Sequence, residues 1–597
     1  MSSRSVFSWV LKNPDTGATF TVIQQDSTPS TATVSVSATL DTSEGSITVP
    51  DVALNGRQSK ILVTDFKFGS HTLLYSSSDV LTTGVFDVDV LVLYLKAGQV
   101  GEFAFKGENG VKYTATGSTP IAASSSATLQ SFTYTQATGS TAVKFSNGVL
   151  VYLLEQETAW KFWAPSTVVT PFETPDQKVF ILGPYLVRNV SIGHQVLRVS
   201  GDNDNSTLIE AYVGPIPIIT IDWNGQRLPA TKTPYGSYVA SIPGAESRLI
   251  SLPSLTKWRS AESLPEIKPG YDDTKWTICN KTTTRAPVAP LSLPVLFSSD
   301  YGYYSGAKVY RGYFDSSTAT SVNLTCSGGL GFGWNAWLNG VFLGGHLGNG
   351  SLADSTLVLD FPSGALQAGG NNNLTVLVDY HGHDEASTKA GVANPRGILG
   401  AVLLPGGTAT ASGFKQWKIQ GNAGGSANID PVRGPMNEGG LFYERVGWAM
   451  PGFDTSAAPS STPFDNSSPL TGLGTAGVRF YTTTFRLNID GDLDVPLGIQ
   501  LAAPAGTVAR VMIWVNGYQY GKYVPHLGPQ TRFPVPPGIL NNRGENTLAL
   551  SIWAQTAAGA RLSQVELVSY GAYQTDFGFS RDWSALQPRW TDRSQYA

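Results

Sequence analysis

Ala336-Trp337-Leu338-Asn339-Gly340-Val341-Phe342-Leu343-Gly344 is written a second time, from position 513, as Ile513-Trp514-Val515-Asn516-Gly517-Tyr518-Gln519-Tyr520-Gly521. Each copy runs an apolar strand into an Asn-Gly pair and out into an aromatic strand. Asn and Gly tolerate the positive φ that a two-residue hairpin turn demands, so the pattern predicts a β-hairpin in both places. The surroundings repeat too. Tyr310-Arg311-Gly312-Tyr313-Phe314 has a counterpart in Phe480-Tyr481-Thr482-Thr483-Thr484-Phe485, and Asn373-Leu374-Thr375-Val376-Leu377-Val378 is echoed by Asn546-Thr547-Leu548-Ala549-Leu550-Ser551-Ile552. Whole domains are therefore duplicated, at a spacing far beyond the roughly 20–50 residues of solenoid repeats.

Outward from the hairpins the same texture continues. Short runs rich in Val, Thr, Ile and aromatics, such as Lys60-Ile61-Leu62-Val63-Thr64-Asp65-Phe66 and Val90-Leu91-Val92-Leu93-Tyr94-Leu95, alternate with Gly, Asn, Asp and Ser. No helical period is sustained and strands do not alternate with helices, which leaves no barrel of parallel strands in this chain. The expected fold class is all-β: a multidomain β-sandwich protein. A β-sandwich is expected over 1–176, a small immunoglobulin-like domain over 177–247, and jelly rolls over 248–413 and 414–597, the first boundary falling in Thr167-Val168-Val169-Thr170-Pro171-Phe172-Glu173-Thr174-Pro175.

Bulk composition removes several functions. Charged residues make up 14% of the chain, against about 25% in a typical soluble protein. Lys and Arg number 40 against 44 Asp and Glu, a net charge of -4 with no basic run, so nucleic acid is not an expected partner. No apolar run approaches the roughly 18 residues of a membrane span. Residues 1–9 lack a signal-peptide core, which reads as the start of a mature domain and, taken alone, as a cytoplasmic chain. Sequons at Asn189, Asn205, Asn280, Asn323, Asn349, Asn373 and Asn466 lean toward a secreted glycoprotein. Cys279 and Cys326 either close one bridge across the first repeat or are two buried thiols. No phosphate-binding loop, dinucleotide fingerprint or nucleophile elbow occurs, and no cofactor is expected.

Hydrolysis of a glycosidic bond needs two carboxyl groups roughly 5–10 Å apart. Asp272-Asp273 and Asp384-Glu385 are adjacent pairs, and neighbours in a strand point to opposite faces, so neither makes a shared site unaided. His381 and His383 share a strand face beside Asp384 and Glu385, but a third metal ligand at suitable spacing is missing. Arg433-Gly434-Pro435-Met436-Asn437-Glu438-Gly439-Gly440-Leu441-Phe442-Tyr443-Glu444-Arg445-Val446-Gly447-Trp448 is the densest polar and aromatic loop. Arg433, Glu438, Tyr443, Glu444, Arg445 and Trp448 suit a sugar site, with rings to stack on pyranose faces and charges to bind hydroxyls. Because the loop joins the two repeats, they suit still better a brace between them, with Arg433 and Arg445 paired to Glu438 and Glu444. Together with His383, Asp384 and Glu385 they are the candidate carbohydrate contacts.

Several stretches jointly resemble one family, the fungal β-galactosidases of glycoside hydrolase family 35. Leu54-Asn55-Gly56-Arg57-Gln58-Ser59-Lys60 resembles its second domain, and Gly183-Pro184-Tyr185-Leu186-Val187-Arg188 with Ile221-Asp222-Trp223-Asn224-Gly225 its third. Ser263-Leu264-Pro265-Glu266-Ile267, Tyr271-Asp272-Asp273-Thr274-Lys275-Trp276 and Asn394-Pro395-Arg396-Gly397-Ile398-Leu399 look like its fourth, and Arg433-Gly434-Pro435-Met436-Asn437-Glu438 with Val515-Asn516-Gly517-Tyr518-Gln519-Tyr520-Gly521-Lys522-Tyr523 like its fifth. The resemblance implies a secreted protein whose β-domains wrap a catalytic (β/α)₈ barrel carrying both catalytic glutamates. Nothing here matches either glutamate motif, so no catalytic residue carries over. Ser387 stands where relatives commonly have a Trp that reaches the barrel's sugar site. Three functions follow as expectations: a non-catalytic, carbohydrate-contacting accessory region; a stand-alone galactoside-binding lectin-like module; or a repurposed enzyme with a new site at a domain interface. A barrel partner, or self-association through the vacated barrel-facing surface, is expected with the first.

Overall fold

Both Asn-Gly pairs turn a hairpin. Strand Trp334–Leu338 pairs antiparallel with Val341–His346, and Ala509–Val515 with Tyr518–Tyr523. Asn339 and Asn516 lie at φ +50° and +48°, followed by Gly340 and Gly517 at +89° and +83°, the left-handed pair that lets the turn follow the strand twist. The register slips at the same place in each copy, between Ala336 and Trp337 and between Ile513 and Trp514. The Asn side chains also clip the turn to its neighbours. Asn339 Nδ2 donates to Ala365 O (2.8 Å) and Asn372 Oδ1 (2.9 Å), and Asn516 Nδ2 to Ile539 O (2.7 Å) and Asn546 Oδ1 (2.8 Å).

The computed structural model describes residues 6–126, 129–168, 178–246, 248, 250–315, 318–384, 393–422, 439–578 and 584–596. The chain divides into two compact units, one of residues 1–249 with 492–494 and 572–579, the other of 250–491, 495–571 and 580–597. Each is built almost wholly of strands.

In the first unit a seven-stranded sheet runs in the order Val6–Lys12, Thr19–Gln25, Lys60–Phe68, His71–Ser76, Val100–Phe105, Gln130–Thr135, Ile121–Ser125. One face packs on a five-stranded sheet through Leu91, Leu93, Phe103, Phe132 and Val151. The other face carries the hairpin of Thr33–Thr42 and Gly45–Asn55 over Ile23, Leu62 and Leu74. Along Asp89–Leu95, Leu91, Leu93 and Leu95 enter the first core while Val90 and Val92 enter another with Phe180 and Tyr212. Burial on both faces is why this strand reads as an unbroken apolar run. The small sandwich closes around the fully buried Trp223. Its sheet already includes Phe162–Trp163, paired with Phe180–Leu182, so it recruits chain from before the Pro-rich stretch that marks the boundary in sequence.

The second unit holds both repeats. A six-stranded sheet, in the order Thr277–Cys279, Gln416–Asn422, Ser305–Phe314, Asn372–Val378, Trp334–Leu338, Val341–His346, packs on a three-stranded one to form the first jelly roll. The second pairs a five-stranded sheet (Arg259–Glu262, Gly477–Arg486, Glu545–Ala554, Ala509–Val515, Tyr518–Tyr523) with another of three. Strands cross the expected division at 413: Gln416–Asn422 completes the first jelly roll and Arg259–Glu262 extends the second. Period-two alternation then sets the packing. Trp334, Ala336 and Leu338 fill their own sandwich, whereas Trp337 joins Trp514, Met512, Phe480 and Trp553 in one core shared by the two repeats. The duplicated sheets thus pack on each other. Cys279 and Cys326 are buried, unbridged thiols in the core of the first jelly roll, and burial pushes both thiols up.

Candidate functional site

Residues 439–448 of the polar and aromatic loop are a keystone of this shared core, which accords with a brace between the repeats rather than a sugar-lined surface. Tyr443, Glu444, Arg445 and Trp448 are each at most 2% exposed. Tyr443 stacks on Phe480 at 4.9 Å, and its hydroxyl oxygen accepts from Trp514 Nε1 (3.2 Å) and Ser551 Oγ (3.1 Å). Trp448 packs on Phe442, Phe464 and Phe480. A ring enclosed this way offers no face to a pyranose.

Arg445 pairs with Glu266 (2.7 Å), not Glu444, because successive residues on the helical turn Phe442–Arg445 point apart. Glu444 instead reaches back to accept from the Leu441 N–H at 2.9 Å. The Arg445 guanidinium also donates to Gly440 O, Tyr596 O and the Tyr271 hydroxyl and lies over Trp276. Arg433, Glu438 and Glu385 lie outside the described residues. The Asp272-Asp273 doublet is structural. Asp272 accepts from the Thr274 N–H, while buried Asp273 binds Arg311 (2.6 Å) and Lys418 (2.8 Å).

What stays at the surface is the rim of the first jelly roll, where strand Asn372–Val378 runs out into Asp379-Tyr380-His381-Gly382-His383-Asp384. Asp379 anchors it from inside: 4% exposed, it binds His381 Nε2 (2.7 Å), Arg510 Nη1 (2.9 Å) and Lys522 Nζ (3.1 Å). Burial alone would raise its carboxyl, but Lys522, His381 and Arg510 override that and hold it well below the usual carboxylate range. His383 turns the other way, its ring 2.8 Å from the Tyr380 hydroxyl and 3.2 Å from Asn394 Oδ1. The two imidazoles therefore serve different partners. Among the described residues no three His, Cys, Asp or Glu side chains converge as metal ligands.

Asp384 completes the rim. One carboxylate oxygen accepts from Arg396 Nη2 (3.0 Å) and the other from Asn394 Nδ2 (2.5 Å), while Arg396, 1% exposed, also donates through Nε to Gly382 O (2.8 Å). The buried guanidinium thus fixes an aspartate whose side chain is still 45% exposed. Tyr304, 47% exposed and near enough to Tyr380 to oppose its ionisation, adds an aromatic face. Motif reading misses Tyr304 and Ser299. Their signal is the run Ser299-Asp300-Tyr301-Gly302-Tyr303-Tyr304, whose first hydroxyl lies 3.4 Å from His383 Nε2.

Three family models cover this architecture in order: β-galactosidase domain 2 over residues 1–162, domain 3 over 163–239, and the second all-β domain over 271–384 and 442–558. The chain belongs to the fungal β-galactosidase family through these all-β domains. It is 62% identical to probable β-galactosidase C of Sclerotinia sclerotiorum, and 52% identical to the proteins of that name from Aspergillus fumigatus and Aspergillus oryzae. In each case the whole chain aligns and spans 60% of the relative's length. The apo form of a Pleurotus ostreatus lectin aligns over 53% of this chain and 93% of its own at 14% identity and a TM-score of 0.14, too loose a superposition to inform function.

Proposed function

We propose that this chain is the accessory part of a secreted β-galactosidase and contacts galactosides through the rim formed by His383, Asp384, Asn394 and Tyr304. The observation that carries the reading is the pairing of Asp384 with Arg396. A buried guanidinium holds an exposed carboxylate in one orientation, as recognition of a hydroxylated ligand requires, and the exposed Tyr304 ring lies near Tyr380 of the same rim. The family membership supports the ligand class. Its partner is the catalytic barrel, which supplies the cleaving carboxylates; Asp272, Asp273 and Asp384 are each engaged in bonds within the chain.

Titration of the chain with lactose, followed by saturation-transfer NMR, tests the rim. Binding should weaken by about tenfold or more in Asp384→Asn and in Tyr304→Ala, on the scale of a lost charge-assisted hydrogen bond or stacking face. Unchanged binding in both variants would sink the proposal. Secretion is read out by glycans. Asn189, Asn205, Asn280, Asn349 and Asn466 are exposed, whereas Asn373 is 1% exposed and should carry none.

A further inference from the structure

We propose that the first unit carries a second, independent binding site, a groove for an acidic polysaccharide built of uronate or sulfated sugars. The groove, ≈ 680 Å³ in volume, opens between the seven-stranded sheet and the end of the hairpin Thr33–Thr42/Gly45–Asn55. That volume is within the roughly 300–1,000 Å³ of ligand sites.

Three lysines line it, one on the first strand of the sheet, one on the third and one just past the end of the fifth. Lys12 faces Thr19 across the first two strands, Thr19 faces Thr64 of the third, Lys67 of the third faces Thr72 of the fourth, and the Lys106 N–H bonds Thr72 O. Lys67 lies three residues beyond Thr64, so the lysines are offset along the strands as well as across them. Neighbouring strands are about 4.8 Å apart, so the backbones bearing the charges step by about 9.5 Å across the sheet.

The charges are left for a ligand. None of the three lysines forms an ion pair among the described residues. The groove's two aspartates are engaged on the hairpin: Asp65 accepts from the Ser43 N–H (2.8 Å) and hydroxyl, and Asp41 from Ser46 Oγ (2.6 Å). Asp65 adopts φ +51°, a conformation that a non-glycine residue holds only when its surroundings fix it, and here the bonds to Ser43 do so. Threonine and serine residues make up most of the remaining wall, and among the described residues no aromatic ring lines it.

These features select the ligand. Without a ring, neither base stacking nor pyranose stacking operates, which disfavours single-stranded nucleic acid and neutral glycans. A concave wall does not fit a lipid surface. A flexible polyanion that also carries hydroxyls satisfies both the lysines and the hydroxyl wall.

The test uses the full chain with polygalacturonate and a sulfated galactan as probes, against neutral galactan, single-stranded DNA and phosphatidylserine vesicles, in affinity electrophoresis and calorimetry. One or both acidic glycans should bind, with affinity falling as salt rises from 20 to 500 mM, a range over which the screening length shrinks several-fold to about 4 Å. Replacing the three together (K12Q, K67Q and K106Q) should weaken binding by about tenfold or more. A control with K96Q, K112Q and K144Q, exposed lysines of the same unit outside the groove, should bind as the parent does. Unaltered melting in both variants separates loss of binding from loss of fold. The proposal is overturned if neither acidic glycan binds, if the two triple variants behave alike, or if neutral galactan, DNA or vesicles bind as tightly. Lactose binding at the rim is unaffected by either outcome, so the two sites fail separately.

Discussion

Segment 439–450 and rim 379–384 are written with the same residues, acidic, basic and aromatic side chains around glycines, and they end in opposite places. The first is enclosed: Tyr443, Arg445 and Trp448 lie between two sheets that each bring a tryptophan to the same core. The second has a buried root, Asp379, and an exposed tip, Asp384. Each uses an arginine to hold a carboxylate. Arg445 and Glu266 are both essentially inaccessible, whereas Arg396 is buried and its partner half exposed. Charge buried at both ends fixes packing; charge buried at one end orients a surface group.

The sharpest test of that contrast is Arg445→Ala. It leaves Glu266 buried without its cation, so unfolding by denaturant should show a loss of about 3–5 kcal/mol in the second unit. The matched apolar pair Arg445→Met with Glu266→Leu should recover much of it. A loss below about 1 kcal/mol for Arg445→Ala, the level of an exposed pair, would place this arginine with the rim. Next in size is Asn516→Ala. It takes the side-chain acceptor from the Thr547 N–H and a donor from both Asn546 Oδ1 and Ile539 O, and should cost about 1–3 kcal/mol. Asn339→Ala should match it if the two hairpins are equivalent, and unequal losses would show that one turn has other supports.

Acid provides a third lever. Burial, reinforced by Arg510, lowers the His346 and His526 imidazoles below their ordinary value. Both bind protons more weakly folded than unfolded, so the second unit keeps full stability above the ordinary histidine value near 6.5 and loses it as pH falls from there through the folded values. Asp379, also lowered, adds a further loss only at more acidic pH, as the solution falls below the ordinary carboxylate value. Urea midpoints between pH 7.5 and 5 should decline in the parent and decline less in a His346→Gln, His526→Gln variant. The smallest stability effect belongs to Asp384→Asn, about 1 kcal/mol, because the buried Arg396 loses its carboxylate but keeps an amide oxygen in its place together with Gly382 O and Ser327 Oγ. A larger loss of stability there would make the rim another brace.

The hairpins, the sandwiches and the strand faces were legible because each depends on local rules: Asn-Gly at the turn, and alternation along strands such as Trp334–Leu338. The rim was half legible. His383 and Asp384 stand out as polar residues at a strand end, but Arg396 reaches Asp384 from 12 positions away, and Ser299 reaches His383 from 84. The brace between the repeats was legible from the loop's place in the chain, but the partner of Arg445 was not, for the same reason. Nothing between Arg433 and Trp448 announces that Glu266, 179 residues earlier than Arg445, is the partner.

By itself the sequence determined that this chain is a set of β-sandwiches with two duplicated members, because turn chemistry and period two act over a few residues. It also determined which side chains share a face. What covers each face was decided by tertiary structure. Trp337 and Trp514 look alike in sequence whether they meet water, a ligand or each other's sheet. Only the packing of the two repeats encloses them, and with them the loop that reads most like a binding site.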